Sequence, residues 1–140
     1  MKVVYSKQAS DTPAFALIAE GWNELVQMGL TPEGRGDSPV RHKTEVLFAV
    51  QDDSEIVGVL CFEKVEQFNQ FWISLGYVEP TSRKQGVYTA LYAELITRAK
   101  DEKVSRIVGS VRADNKPMQQ VMVKLGRKLV DLIYEDLFDV

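Results

Sequence analysis

The sequence is poor in the side chains that form disulfides and metal centres. It has one cysteine and one histidine in 140 residues. A single cysteine cannot form an intramolecular disulfide, and Cys61 lies in the apolar stretch IVGVLCF, which favours a buried structural thiol over a nucleophile. No metal-ligand spacing is present, so we expect no metal site. The unpaired thiol is typical of a reducing compartment, and we expect the protein to be cytoplasmic.

Long apolar runs and a positive net charge are also absent. No segment reaches membrane-spanning length and no signal-like leader precedes the first strand pattern, so we expect no membrane association. The net charge of −3 offers no general basic surface, so nucleic acid is not an expected partner and an anion site would have to be local.

The chain does contain enough apolar residues for one hydrophobic core. It is 45% hydrophobic and 26% charged, and it is too short for two ordinary domains. No internal repeat, low-complexity segment or linker divides it. The sequence therefore predicts one domain spanning residues 1–140.

Hydrophobic periodicity predicts an α/β order of elements. A short strand, KVVY, precedes the helical stretch DTPAFALIAEGWNELVQMGL, with Asp11 or Thr12 as its cap and Gly29 as its end. A loop follows, and then the period changes to two in VLFAV, IVGVLCFEKV and FWISLGYV, which predict an antiparallel meander.

The second half of the sequence alternates between helices and strands. GVYTALYAELITRAKDEK predicts a helix, SRIVGSV a strand, NKPMQQVMVKLG a helix capped by Asn115 and ended by Gly126, and LVDLIYEDLF a closing strand. A strand–helix–strand unit implies that residues 72–78 and 106–111 are parallel neighbours. We therefore expect a mixed, mostly antiparallel sheet of six or seven strands flanked by about four helices.

One basic, glycine-containing turn stands between the third meander strand and the following helix. It reads RKQG at residues 83–86. A helix N-terminus offers unpaired N–H groups and a partial positive charge, and glycine allows a phosphate to approach the backbone. The alternative is a solvated surface turn. Neither GxxxxGK[ST] nor GxGxxG occurs in the sequence, so the common phosphate-binding motifs do not compete.

The order of elements and two segments resemble the GCN5-related N-acetyltransferases, the GNAT family. VEPTSRKQGVY at 78–88 is similar to the family's pyrophosphate loop, [RQ]-x-x-G-x-[GA]: Arg83 and Gly86 match, and Tyr88 departs from it. NKPMQQVMVKLG at 115–126 is similar to the later N-x-x-A-x-x-x-Y-x-K-x-G-F segment. There the matches are Asn115, Lys124 and Gly126, while Met118, Met122 and Arg127 replace the alanine, tyrosine and phenylalanine.

The resemblance implies that acetyl-CoA binds as co-substrate between the strands of residues 72–78 and 106–111. Backbone groups near Tyr77, Val78 and Glu79 would pair with the pantetheine arm. Arg83 would add positive charge near the pyrophosphate, and Asn115 would either contact the arm or only cap its helix. The N–H groups expected to bind the pyrophosphate belong to Lys84, Gln85, Gly86, Val87, Tyr88 and Thr89.

The side chains that carry acid–base chemistry in the family are replaced in this sequence. Many family members use the tyrosine that Met122 replaces, and some use a strand glutamate where this chain has Trp72. Glu79 could act as a base through water or be merely exposed, and Tyr134 could reach the cleft as an acid or pack as an ordinary strand tyrosine. By elimination, we expect direct attack by the amine with water-mediated proton removal.

Two classes of function remain open. The first is an N-acetyltransferase acting on a primary amine of a small molecule or a protein, with residues 29–44 forming one wall of the acceptor site. Arg35, Arg41 and Lys43 in that loop hint at an acceptor with a carboxylate or phosphate, or are only solvated. The second is an inactive GNAT-fold protein that binds CoA or a protein partner. A homodimer is compatible with either.

Overall fold

The computed structural model describes residues 1–31 and 38–139. Five strands and three α-helices form in these residues, with short 3₁₀ turns at Glu66–Phe68 and Pro80–Ser82. In chain order they are β1 (Lys2–Ser6), α1 (Phe15–Met28), β2 (Glu45–Val50), β3 (Ile56–Val65), β4 (Gln70–Val78), α2 (Val87–Asp101), β5 (Arg106–Gly109) and α3 (Lys116–Lys124).

The strands form one mixed sheet in the order β1-β2-β3-β4-β5. The first three pairs are antiparallel, and β4 and β5 are parallel. This arrangement confirms the predicted α/β class, the mostly antiparallel sheet, and the parallel pairing between the strands at residues 72–78 and 106–111. It corrects the predicted numbers, because five strands and three α-helices stand where six or seven and about four were expected.

The missing strand is the predicted closing one. Residues 127–139 contain no helix or strand, although LVDLIYEDLF lies within them. The physical reason is in the pattern: its apolar residues come in adjacent groups, as in LV, LIY and LF, whereas a strand covered on one face needs strict alternation. Seven large apolar side chains of this segment are 65% to 86% exposed. We call residues 127–139 the C-terminal tail.

Helix α1 begins later than its sequence pattern suggests. The helix starts at Phe15 with Ala14 as its N-cap residue and no side-chain cap, so the predicted cap at Asp11 or Thr12 is wrong. The Thr12 hydroxyl instead accepts a hydrogen bond from the Ala14 N–H at 3.3 Å, in the turn before the helix. Gly29 ends the helix in the left-handed conformation, with φ of 69°, as its sequence position predicted. Phe15 and Val26 are half-exposed because the buried face of the helix is centred on Leu17, Ile18, Gly21 and Trp22.

Alternating side chains of the sheet build a core on each of its faces. On one face, Val46, Phe48 and other strand residues pack against α1. On the other face, Leu47, Ala49 and their neighbours pack against α2. The period-two pattern therefore produces three layers, with the sheet between two helices. No helix in the described part of the chain combines the length and hydrophobicity needed to cross a bilayer.

Candidate active site

Strands β4 and β5 part within the sheet and leave a fork. Their last paired residues are Ile73 and Gly109. Immediately beyond, the pairing of β4 with β3 shifts register, so that Cys61 pairs with Leu75, Phe62 pairs with Ile73, and Ser74 between them has no partner residue on β3. A bulge of this kind bends the strand locally. It therefore bends β4 at the point where β5 leaves it.

A cavity of about 70 Å³ occupies the fork. Its walls come from the end of α1, from β4, from the end of β5 and the segment after it, from helix α3, and from the first turn of α2. Among the side chains and backbone groups that line it are those of Ser74, Gly76, Tyr88, Asn115 and Met122. The two segments that resemble GNAT motifs thus meet around one cavity, although they are far apart in sequence.

The RKQG turn presents a row of backbone N–H groups at the start of α2. Gly86 is the N-cap residue with φ of 81°, Lys84 also has a positive φ of 62°, and no side chain caps the helix. Within the described residues, the first N–H of this region with a backbone acceptor is that of Ala90, which bonds to Gly86 O at 3.0 Å. The N–H groups of residues 84–89 are therefore available to an anion, and left-handed residues within such a turn form an anion-binding concavity.

The Arg83 side chain is fixed by contacts with other residues of the protein. Its Nε donates to the Val78 carbonyl oxygen at 2.9 Å, its Nη2 lies 3.2 Å from a carboxylate oxygen of Glu24, and its guanidinium stands 5.4 Å from the Tyr77 ring centroid. These contacts join the turn to α1 and β4. Arg83 therefore adds positive charge beside the turn while its side chain orders the backbone there.

Glu79 caps the short Pro80–Ser82 turn. Its carboxylate accepts hydrogen bonds from the Thr81 N–H at 3.4 Å, from the Thr81 hydroxyl at 2.7 and 2.8 Å, and from the Ser82 hydroxyl at 3.0 Å. The hydrogen bonds from Thr81, followed by those from Ser82, lower the pKa of Glu79 below its usual 4.5. A carboxylate with a lowered pKa is a weaker base, and this one is committed to the turn.

At the end of β4, the backbone groups of successive residues point alternately toward β3 and toward the fork. The Glu79 N–H bonds to the Val57 carbonyl at 2.8 Å on the β3 side. Because successive residues of a strand direct their backbone groups to opposite sides, the groups of Val78 face the fork, where Arg83 already bonds its carbonyl. The Tyr77 side chain packs against Gly21 of α1, and burial, followed by interactions with Glu24, raises its pKa to about 12.

Tyr88 directs its ring into the cavity, against β4. A Cβ atom on Gly76 would lie only 2.4 Å from the Tyr88 ring, so the two are in close contact. This direction could not be predicted from the sequence, because the family motif has a small residue here. Burial raises the pKa of the Tyr88 phenol to about 12, partly offset by the Arg127 guanidinium. Tyr88 is therefore a neutral hydroxyl inside the fork at neutral pH.

Asn115 both caps α3 and lines the cavity. Its side-chain oxygen accepts from the Met118 N–H at 3.4 Å, which makes it the predicted N-cap. Met122 lines the same cavity, and Arg127 reaches back to donate to the Met122 sulfur at 3.2 Å and to the Ile107 carbonyl at 3.1 Å. The side chains in place of the family's tyrosine and phenylalanine therefore lie beside one another at the site.

Ser74 was not singled out from the sequence. It is 3% exposed, lines the cavity, and its Oγ has no hydrogen-bond partner in the described part of the structure. The available signal was a lone hydroxyl within the apolar strand FWISLGYV. Its place in the cavity wall depends on the bulge, which the sequence pattern does not reveal.

Other predicted residues lie outside this cluster. Tyr134 is 86% exposed in the C-terminal tail, because the strand that would have carried it does not form. Of the expected acceptor wall, residues 32–37, with Arg35, lie outside the described residues, whereas Arg41 and Lys43 are exposed. Cys61 is fully buried, and burial raises the pKa of its thiol to about 12, as expected for a structural thiol.

Solved structures with the same fold include several acetyltransferases. A mutant form of a Bacillus halodurans protein is 16% identical, with 99% of each chain covered and a TM-score of 0.75. An aminoglycoside acetyltransferase from an uncultured soil metagenomic sample is 12% identical over 99% of this chain and 95% of its own, with a TM-score of 0.74. N-acetylglutamate synthase from Neisseria gonorrhoeae, complexed with coenzyme A and N-acetyl-glutamate, is 14% identical over 86% of this chain and 28% of its own, with a TM-score of 0.61.

At these identities the structural matches show a shared fold. A search of curated protein sequences finds no significant match. The model of the acetyltransferase (GNAT) family matches residues 12–127, which include α1, the fork, the RKQG turn and α3. The chain therefore belongs to the GNAT family of acetyltransferases.

Proposed function

We propose that this protein transfers the acetyl group of acetyl-CoA to a primary amine of a small molecule or of a protein. The observation that carries the proposal is the row of N–H groups of residues 84–89, which have no backbone acceptor among the described residues and stand beside the fork between β4 and β5. Members of the family use acetyl-CoA, and its pyrophosphate matches such a row of donors.

In this proposal the pyrophosphate binds the amides of residues 84–89 and the pantetheine arm runs along the free edge of β4. The backbone of Val78 and its neighbours Tyr77 and Glu79 flanks the arm. Arg83 contributes charge from beside the turn, where Glu24 partly neutralises it. Asn115 can contact the arm through its amide nitrogen while its oxygen caps α3.

The proposed reaction is direct attack of the neutral amine on the thioester carbon. The new C–N bond forms, the C–S bond breaks, and the proton lost by the amine passes through water, with the CoA thiolate protonated in turn. Glu79 and Tyr134 are the two candidate participants, although Tyr134 lies in the exposed C-terminal tail and would have to reach the fork from there. Glu79 would act through water rather than by contact, since its oxygens already bond Thr81 and Ser82.

Two features concern the acceptor and the setting of the reaction. Arg41 and Lys43 in the segment before β2 are exposed and would favour an amine acceptor that also carries an anionic group. The buried, unpaired Cys61 is compatible with a reducing cytoplasm. We propose a cytoplasmic enzyme with no nucleic-acid or membrane partner.

A second candidate function is CoA binding without transfer, in a regulatory role. The observation that favours it is the Tyr88 ring inside a cavity of only about 70 Å³ that also contains Met122 in place of the family tyrosine. Acetyl-CoA must displace or pass that ring to reach the inner end of the fork.

The test of the CoA site is replacement of Gly86 by valine. A β-branched side chain at φ of 81° strains the turn and occupies the space through which a phosphate approaches, so we expect acetyl-CoA binding to weaken by about tenfold or more in titration calorimetry. Arg83→Ala should cost less, on the order of 1–2 kcal/mol, because the amides remain.

Gly29→Val is the matched control. Gly29 has a similar φ of 69° and equally open surroundings, and it lies outside the row of N–H groups at residues 84–89, so it carries the backbone strain without the steric block at those amides. Equal binding by the wild type and Gly86→Val would place the anion elsewhere. Release of CoA thiol across a panel of amines, polyamines, amino acids and peptides then distinguishes transfer from binding alone.

A further inference from the structure

Ser74 is a buried hydroxyl without a partner. It is 3% exposed, and its Oγ makes no hydrogen bond within the described residues. Burying a hydroxyl without a hydrogen bond costs free energy, and buried polar side chains are nearly always paired. Ser82, the other buried serine on this segment, follows that rule, because its hydroxyl donates to Glu79. Ser74 therefore requires an explanation that Ser82 does not.

The position of Ser74 supplies one. It follows Ile73, the last β4 residue paired with β5, and it is the unpaired residue of the bulge. It also lines the cavity in the fork. The hydroxyl thus stands where the two strands begin to separate, at the inner end of the space between them.

We propose that the Ser74 hydroxyl donates a hydrogen bond to the carbonyl oxygen of the acetyl group of acetyl-CoA. The inference rests on the proposed function. With the pyrophosphate at residues 84–89 and the Tyr88 ring displaced from its contact with Gly76, the pantetheine arm runs along β4 from Val78 inward. The thioester at the end of the arm then reaches the inner end of the fork, beside Ser74. The ligand then supplies the partner that the protein does not.

This contact would act on the reacting atoms. When the amine attacks, electron density moves from the carbon–oxygen double bond onto the oxygen, and it returns when the C–S bond breaks. A donor aimed at that oxygen stabilises the transition state more than the ground state. Ser74 retains its proton throughout, so the proton of the attacking amine still leaves through water.

The experiment compares the binding of acetyl-CoA and of CoA to Ser74→Ala. CoA lacks the carbonyl, so its dissociation constant should be unchanged, which also shows that the variant is folded. Acetyl-CoA should bind about 3- to 10-fold more weakly, the range expected for one neutral hydrogen bond. The infrared carbonyl band of bound acetyl-CoA should lie at lower frequency in the wild type than in Ser74→Ala.

Ser82→Ala is the matched control, because it also removes a buried serine hydroxyl on the same segment. It should leave the ratio of the two dissociation constants at the wild-type value. An unchanged ratio and carbonyl band in Ser74→Ala, or an equal loss of both ligands, would overturn this inference alone. Failure of the wild type to bind either ligand would instead overturn the proposed function.

Discussion

At the scale of single residues, the candidate site contains two kinds of side chain: some form hydrogen bonds that order the backbone, and others line the fork. Glu79 belongs to the first kind, since its carboxylate is bonded by Thr81 and Ser82. Its lowered pKa also sets a pH dependence. The ionised form is favoured in the folded state, so this contribution to stability is present above the unfolded pKa of about 4.5 and is lost as pH falls through the lower folded value.

Removing the two candidate acid–base groups should therefore change turnover only modestly. Glu79→Gln and Tyr134→Phe should each retain most activity, well short of the ~10²–10⁴-fold loss expected for a dedicated acid or base, because water carries the proton. Steady-state kinetics of thiol release, with an acceptor found in the amine panel, measures this. Glu79→Gln should also lower the free energy of unfolding at pH 7, and this difference should shrink toward pH 3.

A loss within the 10²–10⁴ range at Tyr134 would contradict water-mediated transfer. It would identify that phenol as the acid that replaces the tyrosine missing at Met122. Phenylalanine keeps the ring, so the comparison isolates the hydroxyl.

Several of these residues could be predicted from sequence because their behaviour is local. Gly29 and Gly126 take the left-handed conformation typical of glycines that end helices, as their positions predicted, and Asn115 caps its helix. The directions of Ser74 and Tyr88 could not be predicted. The place of Ser74 depends on the register shift between β3 and β4, which is a property of the paired strands. The direction of the Tyr88 ring depends on how α2 packs against Gly76.

At the scale of secondary-structure elements, the contact between α2 and β4 shapes the fork. Gly76 provides a gap in β4 that the Tyr88 ring fills from the first turn of α2. The change of hydrophobic period predicted the strand–helix–strand order. It could not predict the contact of the Tyr88 ring with Gly76, because that contact depends on tertiary packing. The same applies to the tail, where apolar content suggested a strand that has no partner in the described fold.

Gly76→Ala should therefore be destabilising only while Tyr88 is present. The added Cβ would lie 2.4 Å from the ring, so overpacking should lower the free energy of unfolding by about 1–3 kcal/mol. In a Tyr88→Ala background the same change should cost almost nothing, since the space is open. A double-mutant cycle by urea denaturation measures the coupling, and additive effects would show that the ring and Gly76 do not pack.

At the scale of the whole molecule, apolar surface is unevenly distributed. Both faces of the sheet are covered by helices, and the clusters there account for the core. Other described residues expose single apolar side chains, whereas the tail groups seven of them: Leu129, Val130, Leu132, Ile133, Tyr134, Leu137 and Phe138. Strand β5 ends the sheet order, so one edge of the sheet is β5 itself. Contiguous exposed apolar residues and a sheet edge are both features that proteins use or protect.

Self-association through the tail is the outcome we expect, in the form of the homodimer compatible with the sequence. A second copy offers the same apolar residues, and two-fold symmetry lets each tail bury the other or pair with the partner's β5 edge. Light scattering coupled to size exclusion should then give a dimer mass for the wild type. Ile133→Asp should shift the equilibrium toward monomer by about 1–3 kcal/mol or more, since a carboxylate would be buried in an apolar contact.

Val26→Asp is the control: Val26 is 54% exposed on α1, so the same charge there should leave the mass unchanged. A wild type that stays monomeric at every concentration tested, with both variants indistinguishable from it, would mean that the tail folds against its own chain or remains solvated.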